Sequence, residues 1–144
     1  MAATAWALYN QAKHHLGNGV IKLGVDAFRM KLCQPASNAN TPTLSTFQSA
    51  NLECAGGGYP ANGKAIGSPT WGAGSSAGQR KFTGNAVVFS ANGSTLLNVS
   101  YGVIGNSANG KLLCWSRLST ASFNVTSPNT LTVTPHSKGI FTMT

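Results

Sequence analysis

Acidic residues are almost missing from this chain. Of its 144 residues only Asp26 and Glu53 carry a carboxylate, against ten Lys and Arg, for a formal charge of +8. Charge of either sign is scarce, at 8% of residues, where ordinary domains hold roughly 25%. A pair of carboxylates converging on one bond is the minimum for much acid–base hydrolysis. Both acids here fall at expected turns or strand ends, where shaping a turn or bridging to Lys or Arg is their ordinary use. Long apolar runs are missing as well: none approaches the ~20 residues that span a bilayer. The opening MAATAWALYNQAKHHLGNG has neither the basic start nor the apolar core of a secretory signal. The chain is therefore expected to be made and kept in a cytoplasm, and its Asn-x-Ser/Thr sequons at Asn92, Asn98 and Asn124 to be unused.

Other absences concern sites. Cys33, Cys54 and Cys114 are odd in number and lack metal-type spacing, so free thiols are expected. Each lies among apolar neighbours, as in KLCQ and LLCWS, which suits a packed thiol better than a Cys–His nucleophile. His14 and His15 point about 100° apart on a helix and cannot grip one ion as an i, i+4 pair does. His136 is far along the chain. GGGYP, Gly56–Pro60, lacks the GxGxxG or GxxxxGK[ST] spacing of a phosphate cradle and reads as a loop that lowers Tyr59 onto a sheet. No cofactor, metal or catalytic residue is expected. Trp6, Trp71 and Trp115 suggest a sugar-stacking platform, but core and interface packing is the simpler use of three tryptophans.

What the chain has in quantity is turn chemistry and strand periodicity. Asn-Gly occurs at residues 18–19, 62–63, 92–93 and 109–110, and both residue types tolerate the positive φ of tight turns. Ala5, Leu8, Tyr9, Ala12 and Leu16 recur at helical spacing, which predicts a short helix over 1–17 with Thr4 as cap and Gly17 as stop. Trp6 falls off that apolar face. Beyond it, VIKLGVD alternates with Ile21, Leu23 and Val25 on one face, and AFRMKLC sets Phe28, Met30 and Leu32 against Arg29 and Lys31. Residues 34–85 are rich in Gly, Ser, Asn, Ala and Pro and too long for one structureless loop. Short strands are expected within them near Leu44–Phe47, Lys64–Ile66 and Arg80–Phe82.

Strands are expected again at NAVVFS, Thr95–Ile104, Lys111–Leu118, SFNVT and TLTVT, with GNSANG as a hairpin loop. In the segment 95–104, alternation puts Leu97, Val99, Tyr101 and Val103 on one side and Asn98, Ser100 and Gly102 on the other. At the end, Leu131 and Val133 alternate with threonines, and Ile140, Phe141 and Met143 follow the polar turn PHSKG. More than about seven short strands separated by turns predict a mainly β chain: an antiparallel β-sandwich or small barrel over 20–144, with the N-terminal helix, in a single domain 1–144.

The cations are scattered singly, apart from Arg80-Lys81. Nucleic-acid binders concentrate charge in stripes interleaved with aromatics, so sequence-specific nucleic-acid binding is not expected. An unprotected apolar strand at 139–143 is tolerable only when paired or covered. Trp6, Arg80, Lys81, Lys138, Phe141 and Met143 are the candidate interface residues.

Several stretches resemble a family. Leu16, Gly17, Leu23, Asp26, Phe28 and Leu32, then Ser37-Asn38-Ala39 and Leu44-Ser45-Thr46, stand in an order similar to that in small virion structural proteins of tailed bacteriophages. Glu53, Gly57–Tyr59, Gly63, Trp71 and the ending NTLTVTPHSKGIFTMT continue the likeness over nearly the whole chain. The cysteines and the shortage of Asp depart from it. The resemblance implies a non-enzymatic virion component made in the host cytoplasm. Its partners would be other virion proteins, chiefly the major capsid protein, and copies of itself, with no membrane involved. A capsid decoration, or cement, protein is the first expectation, a tail or neck component the second, and a carbohydrate-binding β-sandwich an alternative of another class.

Overall fold

The computed structural model describes residues 6–144. In chain order the elements are β1 (Ala7–Leu8), α1 (Asn10–Gly17), β2 (Phe28–Cys33), a 3-10 turn (Phe47–Ser49), β3 (Lys64–Ala65), β4 (Thr70–Ala73), β5 (Arg80–Thr83), β6 (Val87–Ser90), β7 (Leu96–Val99), β8 (Tyr101–Asn106), β9 (Leu112–Arg117), β10 (Phe123–Val125), β11 (Thr130–Val133) and β12 (Phe141–Met143). One five-stranded sheet runs β1-β9-β8-β2-β3; a three-stranded one runs β12-β5-β4; β6 pairs with β11 and β7 with β10. All pairings are antiparallel. Among the described residues the protein is mainly β with one short α-helix, in a sandwich-like arrangement.

The central strands β2 and β8 are covered on both faces. Phe28, Met30 and Leu32 stand opposite Asn106, Ile104 and Gly102, while Arg29, Lys31 and Cys33 stand opposite Gly105, Val103 and Tyr101. On the first face Phe28 meets Phe82 of β5 edge-on, ring centres 5.0 Å apart. Trp6 closes over Gly102, where an added Cβ would lie 3.0 Å from its ring. The second face is covered by irregular chain. Phe47 lies directly on Gly105, and a Cβ there would come within 2.5 Å of the ring. Lys31, expected on a polar face, is only 2% exposed. Its Nζ donates to the carbonyls of Phe47 (2.5 Å) and Ala50 (2.8 Å) and sits 4.5 Å from the centre of the Phe47 ring. A buried ammonium needs such partners, and here they are backbone carbonyls of the covering segment.

The Asn62-Gly63 turn presses the rest of that segment against β2. Gly63 has φ +70°, and a Cβ on it would fall 1.8 Å from the Met30 carbonyl oxygen. Arg29 donates to the carbonyls of Asn62 (3.2 Å) and Gly63 (2.6 Å). Tyr59 comes down onto the sheet as expected. Its hydroxyl accepts from Leu32 N and donates to Glu53, both at 2.9 Å, and its ring stacks on Phe89.

Four further expectations are corrected. The helix is Asn10–Gly17, not 1–17, because the backbone of Ala7 and Leu8 pairs with β9; Thr4 and Ala5 lie outside the described residues. VIKLGVD is a turn, not a strand: Val25 N and Asp26 N both donate to Lys22 O. Ile21 and Leu23 are buried, but Val25 is 81% exposed. Leu44–Phe47 forms a single bridge, Thr46 to Lys111, before the 3-10 turn. The stretch 95–104 is two strands that change partner at Ser100. Asn98 takes φ +56°, so Leu96 rather than Leu97 turns inward, and Ser100 is buried. Asp26 shapes a turn, one of its two expected uses, accepting from the Lys22 N–H and from Asn106, while Glu53 accepts from Tyr59. Strands Lys64–Ala65 and Arg80–Thr83, the hairpin β8–β9 and the two final strands stand where the sequence places them, β11 against β6 and β12 against β5.

Replacing Phe28 by Ala is expected to cost about 3–5 kcal/mol in urea unfolding, and Val25→Ala less than about 0.5 kcal/mol. Equal losses would contradict this packing. Burial pulls the Lys31 pKa below its ordinary 10.5. The unfolded chain then binds the proton more tightly than the folded one. Stability contributed at Lys31 should therefore rise with pH between the depressed folded value and 10.5. A pH series comparing wild type with Lys31→Met checks it; a difference that is flat or falls with pH contradicts it.

Candidate docking interface

Five of the six candidate interface residues come together on one ribbon. Arg80 and Lys81 belong to β5, Phe141 and Met143 to β12, and Lys138 to the turn that leads into β12. Phe141 pairs with Phe82, Thr142 with Lys81 and Met143 with Arg80. Lys81 Nζ lies 3.5 Å from the Ser137 carbonyl oxygen, tying the turn to β5. Among the described residues no strand covers the outer edge of β12 or of β4. Such an edge presents unpaired N–H and C=O groups to a neighbour.

Register sorts the side chains of this ribbon. Cross-strand partners share a face, so Trp71, Phe82 and Phe141 form one row and Ala73, Arg80 and Met143 the next row on the same side. The first row is aromatic and packs inward, with Phe141 5.5 Å from Phe82 and 6.2 Å from Trp71 between ring centres. Phe141 is thus a buried core residue and not a free contact. The second row overhangs: Arg80 is exposed and Met143 is 44% exposed. Trp6, the sixth candidate, is also buried, against Gly102 of β8 in the five-stranded sheet.

Beside the second row opens an apolar groove of about 320 Å³. Leu16 and Lys13 of α1, Ile21 and Leu23 of the following turn, and Trp71 and Met143 line it. The turn is held to the helix end by Val20 N and Ile21 N, which both donate to His15 O. Gly24 then packs on Trp71. Exposed Val20 and Val25 flank the lining turn in sequence. Lys13, Leu16, Ile21 and Leu23 were missed as interface residues because periodicity assigns them to a helix face and a strand. Only the reversal of the chain at 18–26 brings them opposite β4 and β12.

The charges of this surface are one-sided. Asp26 is held by the N–H of Lys22 at 2.8 Å and by Asn106 at 2.6 Å, and Glu53 by Tyr59. Both acids of the chain are thereby engaged internally, while Lys13, Arg80 and Lys138 face solvent. A second, more polar hollow of about 240 Å³ lies by Arg29, Gln48, Asn62 and Ser107. The Arg29 guanidinium is already engaged there by two loop carbonyls.

No family model, curated protein or solved structure matches this chain. The chemistry open to the surface is therefore read from its own groups. Among the described residues no three His, Cys, Asp or Glu side chains stand close enough to share a metal ion. His14 and His15 have ring centres 6.0 Å apart. All three cysteines are free and buried. Burial pushes the Cys33 thiol up to about 11, the Cys54 thiol to about 12, and Cys114 well above its ordinary value. Since the thiolate is the reactive form, the folded protein should not colour a thiol-exchange reagent at neutral pH. Three thiols should titrate once guanidinium unfolds it. Rapid reaction of the native protein would contradict the burial.

Proposed function

We propose that this protein is a non-enzymatic structural component of a tailed-bacteriophage virion, bound as a decoration protein to the outside of an assembled capsid shell. The observation that carries the reading is the β5–β12 ribbon beside the α1 groove: an uncovered strand edge, an apolar hollow and outward cations on one surface. Apolar contact supplies the buried core of an interface, while complementary charge steers and orients docking. A shell presenting acidic patches is the natural counterpart of a +8 chain. The resemblance of the sequence to small virion proteins gives the class of particle. On this reading the protein is made in the host cytoplasm and released with the particle by lysis.

A tail or neck position rests on the same resemblance, and nothing in the ribbon favours it over the shell. The sugar-platform alternative loses its geometry. Trp6 is buried, Trp71 belongs to the three-stranded sheet, and Trp115, on the five-stranded sheet, packs edge-on to Tyr101.

The test is to separate purified virions of the parent phage into heads and tails and to assay each for this protein. It should accompany the heads and be released progressively as salt rises. A phage carrying Arg80→Glu and Lys81→Glu should yield shells depleted of it. Recovery only in the soluble lysate would overturn the virion reading, and recovery with tails would move it to the second position.

A further inference from the structure

The groove beside Met143 has features that restrict what it can hold. Its volume, about 320 Å³, is at the small end for binding clefts, the scale of one bulky side chain and not of an entire helix. Its lining is apolar, from Leu16, Ile21, Leu23, Trp71 and Met143. Its two rims carry cations. Lys13 stands on the helix side, and Arg80, paired with Met143 and on the same face, on the sheet side.

Three classes of occupant can be compared. A second copy of this chain would set +8 against +8 and bring no unengaged Asp or Glu side chain, since Asp26 and Glu53 are both bonded within their own fold. A nucleic acid would answer the cations, but its backbone is held by a stripe of charge, and here Lys13 and Arg80 stand singly on two rims. An acidic polypeptide segment satisfies both requirements.

We propose that the groove binds one large aliphatic or aromatic side chain of an acidic partner segment, with carboxylates before and after it answering Lys13 and Arg80. The proposal rests on the decoration reading only for the owner of that segment, which would be a capsid subunit. The apolar side chain would act as the anchor, filling a pocket from which water is expelled, and the flanking carboxylates would set direction and selectivity. Lys13 and Arg80 are both exposed, so reversing them leaves the fold intact.

The probe is a short synthetic peptide, acetyl-GSEDLDEG-amide, titrated into the isotope-labelled full chain and followed by amide shifts. Shifts should gather at residues 13–23, 71 and 143. The peptide with Ala in place of Leu, and a Lys-for-acid version, should each bind roughly tenfold more weakly. The double variant Lys13→Glu, Arg80→Glu should reverse the preference between the acidic and basic peptides while keeping the wild-type spectrum elsewhere. Gly17→Phe gives a second, uncharged block: Gly17 lines the groove, and a Cβ there meets nothing within 4 Å. It should weaken the acidic peptide without unfolding the chain. Shifts elsewhere, equal binding of the Ala peptide, or displacement of the peptide by oligothymidylate would overturn the proposal. So would concentration-dependent shifts at the same residues without peptide, which would make the occupant a second copy. Presence of the protein in purified virions is read separately. A protein found on shells whose groove ignores the peptide refutes this inference alone, and a groove that binds the peptide in a protein absent from virions refutes the decoration reading alone.

Discussion

The buried ammonium of Lys31 ties the central sheet of this structure to the loop that covers it. The strands β2 and β8 are buried on both sides, so the sheet they centre carries two covers. One cover is regular, the β4-β5-β12 sheet that brings Phe82 onto Phe28. The other is the irregular chain after β2, whose backbone meets the sheet only at the short strand β3 and at isolated bridges, Cys33 to Glu53 and Thr46 to Lys111. Lys31 holds it by donating to the Phe47 and Ala50 carbonyls, with the Phe47 ring closing over both Lys31 and Gly105. Removing the charge while keeping the length would leave two buried carbonyls without their donor, a cost of about 1–3 kcal/mol for each buried group left unsatisfied. Tyr9, donating to the Ala39 carbonyl, and Arg29, donating to the Asn62-Gly63 turn, repeat the device. A long side chain rooted in regular structure reaches out to loop carbonyls.

This economy of charge shapes the surface. Few ionisable groups exist, and several of them are used inside: Lys31 under the sheet, Glu53 on Tyr59, Asp26 on Asn106. What remains outside is predominantly cationic and sparse, on a background of Asn, Ser, Thr and Gly. A surface of this kind repels its own copies through net field yet offers few local charges to order water or to solvate an apolar hollow. On the proposed reading such a hollow, with cations on two rims, takes a larger acidic partner and not a copy of the chain. The β12 edge adjoins it through Met143.

Much of the architecture was legible in the sequence, because period-2 alternation and Asn-Gly turns are local signals. The β8–β9 hairpin, β5, β11 and β12 followed from them. The errors arose where tertiary pairing overrode local pattern. Ala7 and Leu8 fit a helix face but found a partner in β9. Ile21, Leu23 and Val25 alternate like a strand, yet the Asp26 carboxylate accepts from Lys22 N and closes a turn. Alternation through 95–104 gave no sign that Asn98 takes positive φ, which shifts the inward residue from Leu97 to Leu96. Lys31 looked like a solvent-facing lysine because the loop that covers it has no periodic signal. At the interface, the sequence located the cations and the terminal strand but not the groove. Its lining comes from five separate places, β1, α1, the following turn, β4 and β12, that only the fold brings together.

The most direct measurement is a cryo-EM map of the parent virion at side-chain resolution. The expected result is this domain seated on the outer shell with density entering between Leu16, Trp71 and Met143, and shell carboxylates near Lys13 and Arg80. A shell-bound domain whose groove and β12 edge both face solvent, or a virion without the domain, would contradict the central claim.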